Sequence, residues 1–169
     1  RKCKVQLLHA DLSPGQMNYL YNHPKSKVII NIAHGEGFGL PLFEAAREGL
    51  PIITINWSGQ VDFLRYDSKN YFQEVKCSID PVQPEAIWEG VIQTDSKWAF
   101  ADQGSYKMIL RKSVKQWDKL KDTADELKGL IDENFNNKKL YEGFCSHFYN
   151  EEEEDLEQWL NTFQVKEYE

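Results

Sequence analysis

The first sixty residues alternate between short apolar runs and segments with helical spacing of apolar residues. The runs that predict strands are 3–10 (CKVQLLHA), 27–33 (KVIINIA) and 50–56 (LPIITIN). The last two are nearly continuous, as in strands buried on both faces of a parallel sheet. The segments that predict helices are 13–23 and 40–49. This alternation is typical of an α/β fold with a Rossmann-like, doubly wound parallel sheet.

Capping and turn residues support both helix boundaries. Ser13 is expected to cap the first helix, with Pro14 in its first turn. Pro41 lies near the start of the second helix, and Gly49 lies just past its end. Because parallel strands end at one edge of a sheet, the loops after them are expected to meet there and to hold a ligand.

The rest of the chain is irregular at first and then helical. Residues 56–104 predict loops with one or two short strands or helices. From Ser105 onwards an apolar stripe predicts one amphipathic helix that packs on the core, and C-terminal helices follow it. The stripe consists of Leu110, Val114, Trp117, Ala124, Leu127 and Ile131. We expect one domain over residues 1–130 and an acidic helical extension over residues 131–169.

Composition indicates a folded chain. Apolar residues make up 41% and aromatic residues 13% of the 169 residues, which excludes a disordered chain. No apolar run is long enough for a membrane span, and no signal peptide is visible. Three widely spaced cysteines form no metal-binding or disulfide pattern, which favours reduced thiols and a cytoplasmic location. The chain begins with Arg1, so we expect a fragment of a longer protein.

The negative charge is concentrated near the C-terminus. Residues 129–169 hold 3 Lys or Arg and 11 Asp or Glu, a net charge of −8, against 17 and 16 in residues 1–128, a net charge of +1. The acidic run 151–158 (EEEEDLEQ) is interpreted as a solvated helix face. Because residues 1–128 have no basic stripe, nucleic-acid binding is not expected.

The segment 34–51 (HGEGFGLPLFEAAREGLP) carries the candidate chemistry. A glycine turn before a helix exposes backbone N–H groups at the positive end of the helix dipole, which suits a phosphate. Glu36 and Glu44 cannot bind that phosphate, but carboxylates accept hydrogen bonds from the hydroxyls of a ribose or a sugar. A nucleotide sugar satisfies both requirements. Taken singly, each glutamate is also explained as an exposed loop acid or a first-turn helix acid.

The combination of these residues resembles a known motif. Two glutamates separated by seven residues, with Gly-Phe-Gly directly after the first, are similar to the donor-binding motif of GT-B fold glycosyltransferases, most closely family 4 (glycosyltransferases group 1). Gly49 and Pro51 before an apolar strand match the downstream part of that motif. The resemblance is strong over residues 5–65, weaker to about residue 130 and absent beyond. It implies the C-terminal, nucleotide-sugar-binding half of a GT-B fold.

The resemblance implies a role for each matching position. Glu36 would be the catalytic residue, contacting the transferred sugar and stabilising positive charge at its reacting carbon. Glu44 would bind the ribose. Further donor-binding residues would hold the sugar and diphosphate (Gly37, Phe38, Gly39, Leu40), line the base (Ala10 to Leu12) or touch the sugar (His34). The loop at Ser58 and Gly59 lies at the same sheet edge without an assigned role.

The implied parent enzyme is a hexosyltransferase-like glycosyltransferase without a metal or other cofactor. It would move a sugar from a nucleoside diphosphate to a glycan, lipid or protein acceptor, with retention of configuration. Family members have a small hydroxyl residue where this chain has Ala33. The family's Arg and Lys on the pyrophosphate would lie upstream of Val5, as would the N-terminal acceptor-binding domain. We therefore expect the fragment alone to be inactive.

Two other functions stay open. A Rossmann-like module could keep the motif but act as a non-catalytic binding or scaffold subunit, with the acidic tail and Trp159 as contact surface. A nucleotide-sugar epimerase uses a related fold but would lack the Gly-Phe-Gly turn, so it ranks lower. Binding of nucleotide sugars that is lost on Glu44→Ala separates the transferase from the scaffold.

Overall fold

The computed structural model describes residues 3–147. The acidic run at 151–158 and Trp159 therefore lie outside the described residues. The chain forms two compact units, Arg1–Ile131 and Asp132–Glu169. Within the described part of the second unit, α6 (Asn137–Ser146) begins at Asn136, whose side chain caps the helix by accepting a hydrogen bond from the Lys139 N–H.

A small parallel sheet organises the first unit, in the strand order β1-β2-β5. Its strands are β1 (Ile29–Asn31), β2 (Ile52–Ile55) and β5 (Gln73–Val75). Ile29 pairs with Ile52, and Ile55 pairs with Val75. β2 lies in the middle and is fully buried, which agrees with its continuous apolar sequence. Described residues therefore form a mixed α/β fold with a three-stranded parallel sheet.

Helices cover both faces of this sheet. On one face, α1 (Pro14–Asn22) and α2 (Leu40–Arg47) contribute Tyr21 and Ala45 to a cluster that includes Ile29. On the other face, Ile53 and Ile55 pack with residues of α4 (Gln103–Lys115). Successive side chains of a strand point to opposite faces, so β2 contributes to both layers.

The remaining elements connect and flank the sheet. The short ones are α3 (Val61–Leu64), β3 (Arg65–Tyr66), β4 (Lys69–Asn70) and a 3₁₀ turn (Pro84–Ala86). The longer ones are β6 (Cys77–Pro81), β7 (Lys97–Ala101) and α5 (Trp117–Asn134). β3 pairs with β4, and β6 with β7, both antiparallel. The 56–104 region thus holds more regular structure than expected.

Both predicted helix starts are confirmed. Ser13 and Gln16 form a reciprocal capping box at the start of α1, with Pro14 in the first turn. α2 begins after Gly39 with Pro41 in its first turn. Gly49 follows the end of α2 with a φ of +68°, a conformation that glycine adopts without a steric penalty.

Three expectations were wrong. β1 is not buried on both faces, because it lies at the edge of the described sheet, and Ile30 is 37% exposed. Residues 3–10 form no strand, and Leu7 is 91% exposed, because no described strand pairs with this segment and a strand needs partners for its backbone groups. The single helix after Ser105 is in fact α4 and α5, separated at Gln116. Val114, predicted to pack on the core, is 76% exposed. Ala124, Leu127 and Ile131 are buried as predicted.

Candidate functional site

Glu36 lies in the loop between β1 and α2, and its carboxylate is held from the strand. The side-chain amide of Asn31, the last residue of β1, donates to Glu36 Oε1 at 2.6 Å. The Asn31 side-chain oxygen accepts from the Ala33 N–H at 2.9 Å. Asn31 is thereby fixed at both ends of its amide. The half-buried Glu36 carboxylate is oriented at the sheet edge before any ligand binds.

The loop after β2 holds the Glu36 backbone. Ser58 Oγ accepts from the Glu36 N–H at 2.9 Å and donates to the Glu36 carbonyl at 2.6 Å. The Gly59 N–H also donates to that carbonyl, at 3.1 Å. A Cβ atom on Gly59 would lie 1.8 Å from the Gly37 carbonyl oxygen. Glycine at 59 therefore permits the close approach of the two loops.

At the start of α2, Pro41 has no N–H and the Leu42 N–H already donates to the Gly39 carbonyl at 2.9 Å, so Leu40 supplies the first helical N–H that an anion could meet. Gly39 is the N-cap residue with a φ of +84°, and no described side chain caps the helix. A Cβ on Gly39 would lie 3.1 Å from Gln60 Cβ, so glycine serves both the turn and the packing. The N–H groups of the glycine turn and of Leu40, at the positive end of the helix dipole, are the backbone donors suited to phosphate oxygens.

Glu44 lies one turn into α2 and is held by Tyr21 of α1. The Tyr21 hydroxyl donates to Glu44 Oε2 at 3.0 Å. Burial, and then the hydrogen bond to Glu44, raise the pKa of Tyr21 to about 12. Tyr21 is therefore protonated at neutral pH and keeps donating to the carboxylate. Glu44 remains exposed and retains further acceptor capacity for a ligand.

A cavity of about 570 Å³ lies between α1 and α2. Its size falls within the range of small-molecule sites. The residues that line it are Leu12, Pro14, Met17, Asn18, Tyr21, Leu40, Phe43, Glu44, Arg47 and Glu48. The cavity thus combines apolar side chains near the α1 start with two carboxylates and a guanidinium along α2.

The carboxylate of Glu48 is also pre-oriented. Asn18 Nδ2 donates to Glu48 Oε1 at 2.8 Å, and Asn22 Nδ2 donates to Oε2 at 2.6 Å. Both asparagines belong to α1, so they connect the two helices along the cavity wall. The site roles of these asparagines, Glu48, Tyr21 and Asn31 were not predicted from the sequence.

His34 is attached to the β6–β7 hairpin. Its ring stacks on Trp98 with centroids 4.8 Å apart and an interplanar angle of 11°. Its Nδ1 lies 2.7 Å from the Ala99 carbonyl oxygen, and the Ala99 N–H donates to the His34 carbonyl at 3.2 Å. These contacts fix the first residue of the motif loop against β7.

The structure separates the predicted site residues into two groups. Leu12, Leu40 and Glu44 line the cavity between α1 and α2. Ala10 and the predicted residues of the loop before α2 do not line this cavity. Those loop residues are His34, Glu36, Gly37, Phe38 and Gly39. Phe38 packs on Phe43 and Phe63, with ring centroids 5.1 Å and 5.0 Å away. Its ring therefore supports the loop.

Between residues 3 and 147, no three His, Cys, Asp or Glu side chains form a group that could hold a metal ion. None of the described helices is both long enough and apolar enough to cross a membrane. Comparison of the chain with protein-family models, curated proteins and solved structures found no match.

Proposed function

We propose that this chain is the nucleotide-sugar-binding part of a GT-B-like glycosyltransferase, with a Rossmann-like, doubly wound sheet. One arrangement carries the proposal: two oriented carboxylates, Glu36 in the loop before the start of α2 and Glu44 one turn after it, with no described side chain capping that start. Asn31 holds the first and Tyr21 the second. A diphosphate between two polyols is the ligand that uses all three features.

Each part of the donor has a place in this arrangement. The diphosphate binds the backbone N–H groups at the start of α2. The ribose hydroxyls donate to Glu44, and the base lies in the apolar cavity beyond it. The transferred sugar extends from the diphosphate towards Glu36. There the carboxylate stabilises the positive charge that develops at the anomeric carbon when the bond to the diphosphate breaks.

The reaction is sugar transfer with retention to a glycan, lipid or protein acceptor, without a metal. The retention and the absence of a metal rest on the resemblance of the motif alone. We also propose a cytoplasmic location, which agrees with a nucleotide-sugar donor and with the free cysteines Cys3, Cys77 and Cys145. The acceptor site belongs to a second GT-B domain that faces this one.

A calorimetric titration tests the proposal. The chain is titrated with UDP, GDP and ADP and with their hexose conjugates. At least one diphosphate is expected to bind, and Glu44→Ala is expected to weaken that binding about tenfold or more, because the ribose loses a charge-assisted hydrogen bond. Glu89→Ala is the matched control, since Glu89 is exposed and does not line the cavity. Binding that is indifferent to Glu44 would contradict the proposal.

The scaffold alternative is favoured by exposed apolar side chains. Val5, Leu7 and Trp88 are largely exposed, and a contiguous patch of such residues would suit contact with another protein. If none of the nucleotides binds and a partner is captured through these residues, the chain is a binding module.

A further inference from the structure

The cavity continues past Glu44 to a second set of polar groups. Glu48, Arg47 and Asn18 line its wall on α2 and α1. A helix rises 1.5 Å per residue, so Glu48 lies roughly 12 Å along α2 from Leu40. A nucleoside diphosphate has about this length from its terminal phosphate to its base. The base of a donor that binds as proposed therefore reaches Glu48.

The Glu48 carboxylate can accept further hydrogen bonds in a fixed orientation. Asn18 occupies one acceptor position on Oε1, and Asn22 occupies one on Oε2. A carboxylate oxygen has two acceptor positions, so one remains on each oxygen. The two oxygen atoms of one carboxylate match a ligand with two adjacent N–H donors.

Among the common bases, guanine alone presents that pair of donors. Its N1–H and its 2-amino group lie side by side on one edge. Uracil has a single N3–H between two carbonyl oxygens, which a carboxylate repels. Adenine places an acceptor nitrogen beside its one amino group. Arg47 on the same wall offers donors that suit the guanine O6 and N7.

We infer that the site selects a guanine nucleotide, with Glu48 as the residue that reads the base. This inference rests on the proposed function and narrows the donor to a GDP-sugar. Asn18 and Asn22 act as positioning residues, because their side-chain amides donate to the two oxygens of the Glu48 carboxylate. The apolar residues Leu12 and Met17 cover the base ring.

The test is a set of titrations with GDP, IDP, UDP and ADP. IDP differs from GDP only by lacking the 2-amino group. We expect GDP to bind about tenfold more tightly than each of the others, because each of them leaves one carboxylate acceptor unpaired. Glu48→Gln should remove this preference, since its side-chain amide has only one acceptor atom. The variant keeps the shape of the side chain.

Control variants separate the possible failures. Glu89→Gln should leave all affinities unchanged, and the melting temperature of Glu48→Gln shows whether the variant is folded. If the diphosphates bind in a manner that depends on Glu44 but UDP or ADP binds as tightly as GDP, the guanine assignment is wrong and the proposed function stands. Equal GDP preference in Glu48→Gln also overturns the assignment. Absence of any nucleotide binding overturns both.

Discussion

The Ser58 hydroxyl makes two hydrogen bonds to the backbone of Glu36. It accepts from the Glu36 N–H and donates to the Glu36 carbonyl. The two residues lie 22 positions apart in the sequence. Ser58 adopts a φ of +77°, which is unfavourable for a residue with a side chain. The loop after β2 thus tolerates local strain and fixes the loop that carries the candidate catalytic carboxylate.

Ser58→Ala is expected to lower the free energy of unfolding by about 1–2 kcal/mol, because the Glu36 N–H loses its hydrogen-bond partner. Ser58→Gly loses the same bonds but relieves the strain of the positive φ, so it should be less destabilising than alanine by about 1 kcal/mol. Urea denaturation of both variants measures the difference. Equal stability of Ser58→Ala and the parent chain would show that the hydroxyl contributes nothing.

Gly59→Ala is expected to be strongly destabilising. Its Cβ would lie 1.8 Å from the Gly37 carbonyl oxygen, so the backbone of one loop must move, at a cost of about 3 kcal/mol. Gly37→Ala is the matched control. A Cβ at Gly37 meets no atom within 4 Å, and its stability should stay within about 0.5 kcal/mol of the parent chain. Equal effects of the two substitutions in urea denaturation would contradict the loop contact.

Asn31→Ala tests whether the orientation of the Glu36 carboxylate contributes to binding of the sugar. The substitution removes the hydrogen bond to Glu36 Oε1 but leaves the cavity between α1 and α2 intact. We expect the affinity for a nucleoside diphosphate to stay unchanged. The additional affinity contributed by the hexose should fall about fivefold or more. Calorimetry with and without the hexose separates the two, and a parallel loss of both affinities would assign Asn31 a purely structural role.

The raised pKa of Tyr21 predicts how the free energy of unfolding changes at alkaline pH. In the unfolded chain its hydroxyl ionises near pH 10, whereas the folded-state pKa is raised to about 12. A raised folded pKa favours the folded state below pH 10, and this contribution is lost between pH 10 and pH 12. The stability difference between the parent chain and Tyr21→Phe should therefore decrease over that interval. Denaturation curves at several alkaline pH values measure it, and a constant difference would contradict the raised pKa.

Local signals in the sequence predicted the elements that surround the motif. Ser13 with Pro14, and Gly39 with Pro41, act within their own turns, so the starts of α1 and α2 could be identified without knowledge of the fold. The strands β1 and β2 were identified for the same reason, since their apolar runs are short and continuous, but only β2 is fully buried.

The errors arose where structure depends on distant partners. The segment 3–10 has strand-like residues, but no described strand pairs with it. β6 and β7 pair across an intervening segment of irregular sequence, which gives no periodic signal.

The residues that orient the candidate site could not be predicted for a similar reason. Tyr21 reaches Glu44 across 23 positions, and Asn22 reaches Glu48 across 26. Packing of α1 against α2 decides these contacts. Asn31 is only five positions from Glu36, but an asparagine at the end of a strand has no sequence signal that distinguishes it from a turn residue.

The central claim is that a diphosphate binds at the start of α2 with Glu36 and Glu44 on either side. Amide NMR spectra of the chain, recorded during a titration with GDP, test it most directly. The account predicts that the largest shifts belong to the amides of Gly37, Gly39 and Leu40 and to residues that line the cavity, with smaller effects in Glu44→Ala. Shifts centred elsewhere, or no shifts with GDP, UDP or ADP at millimolar concentration, would contradict it.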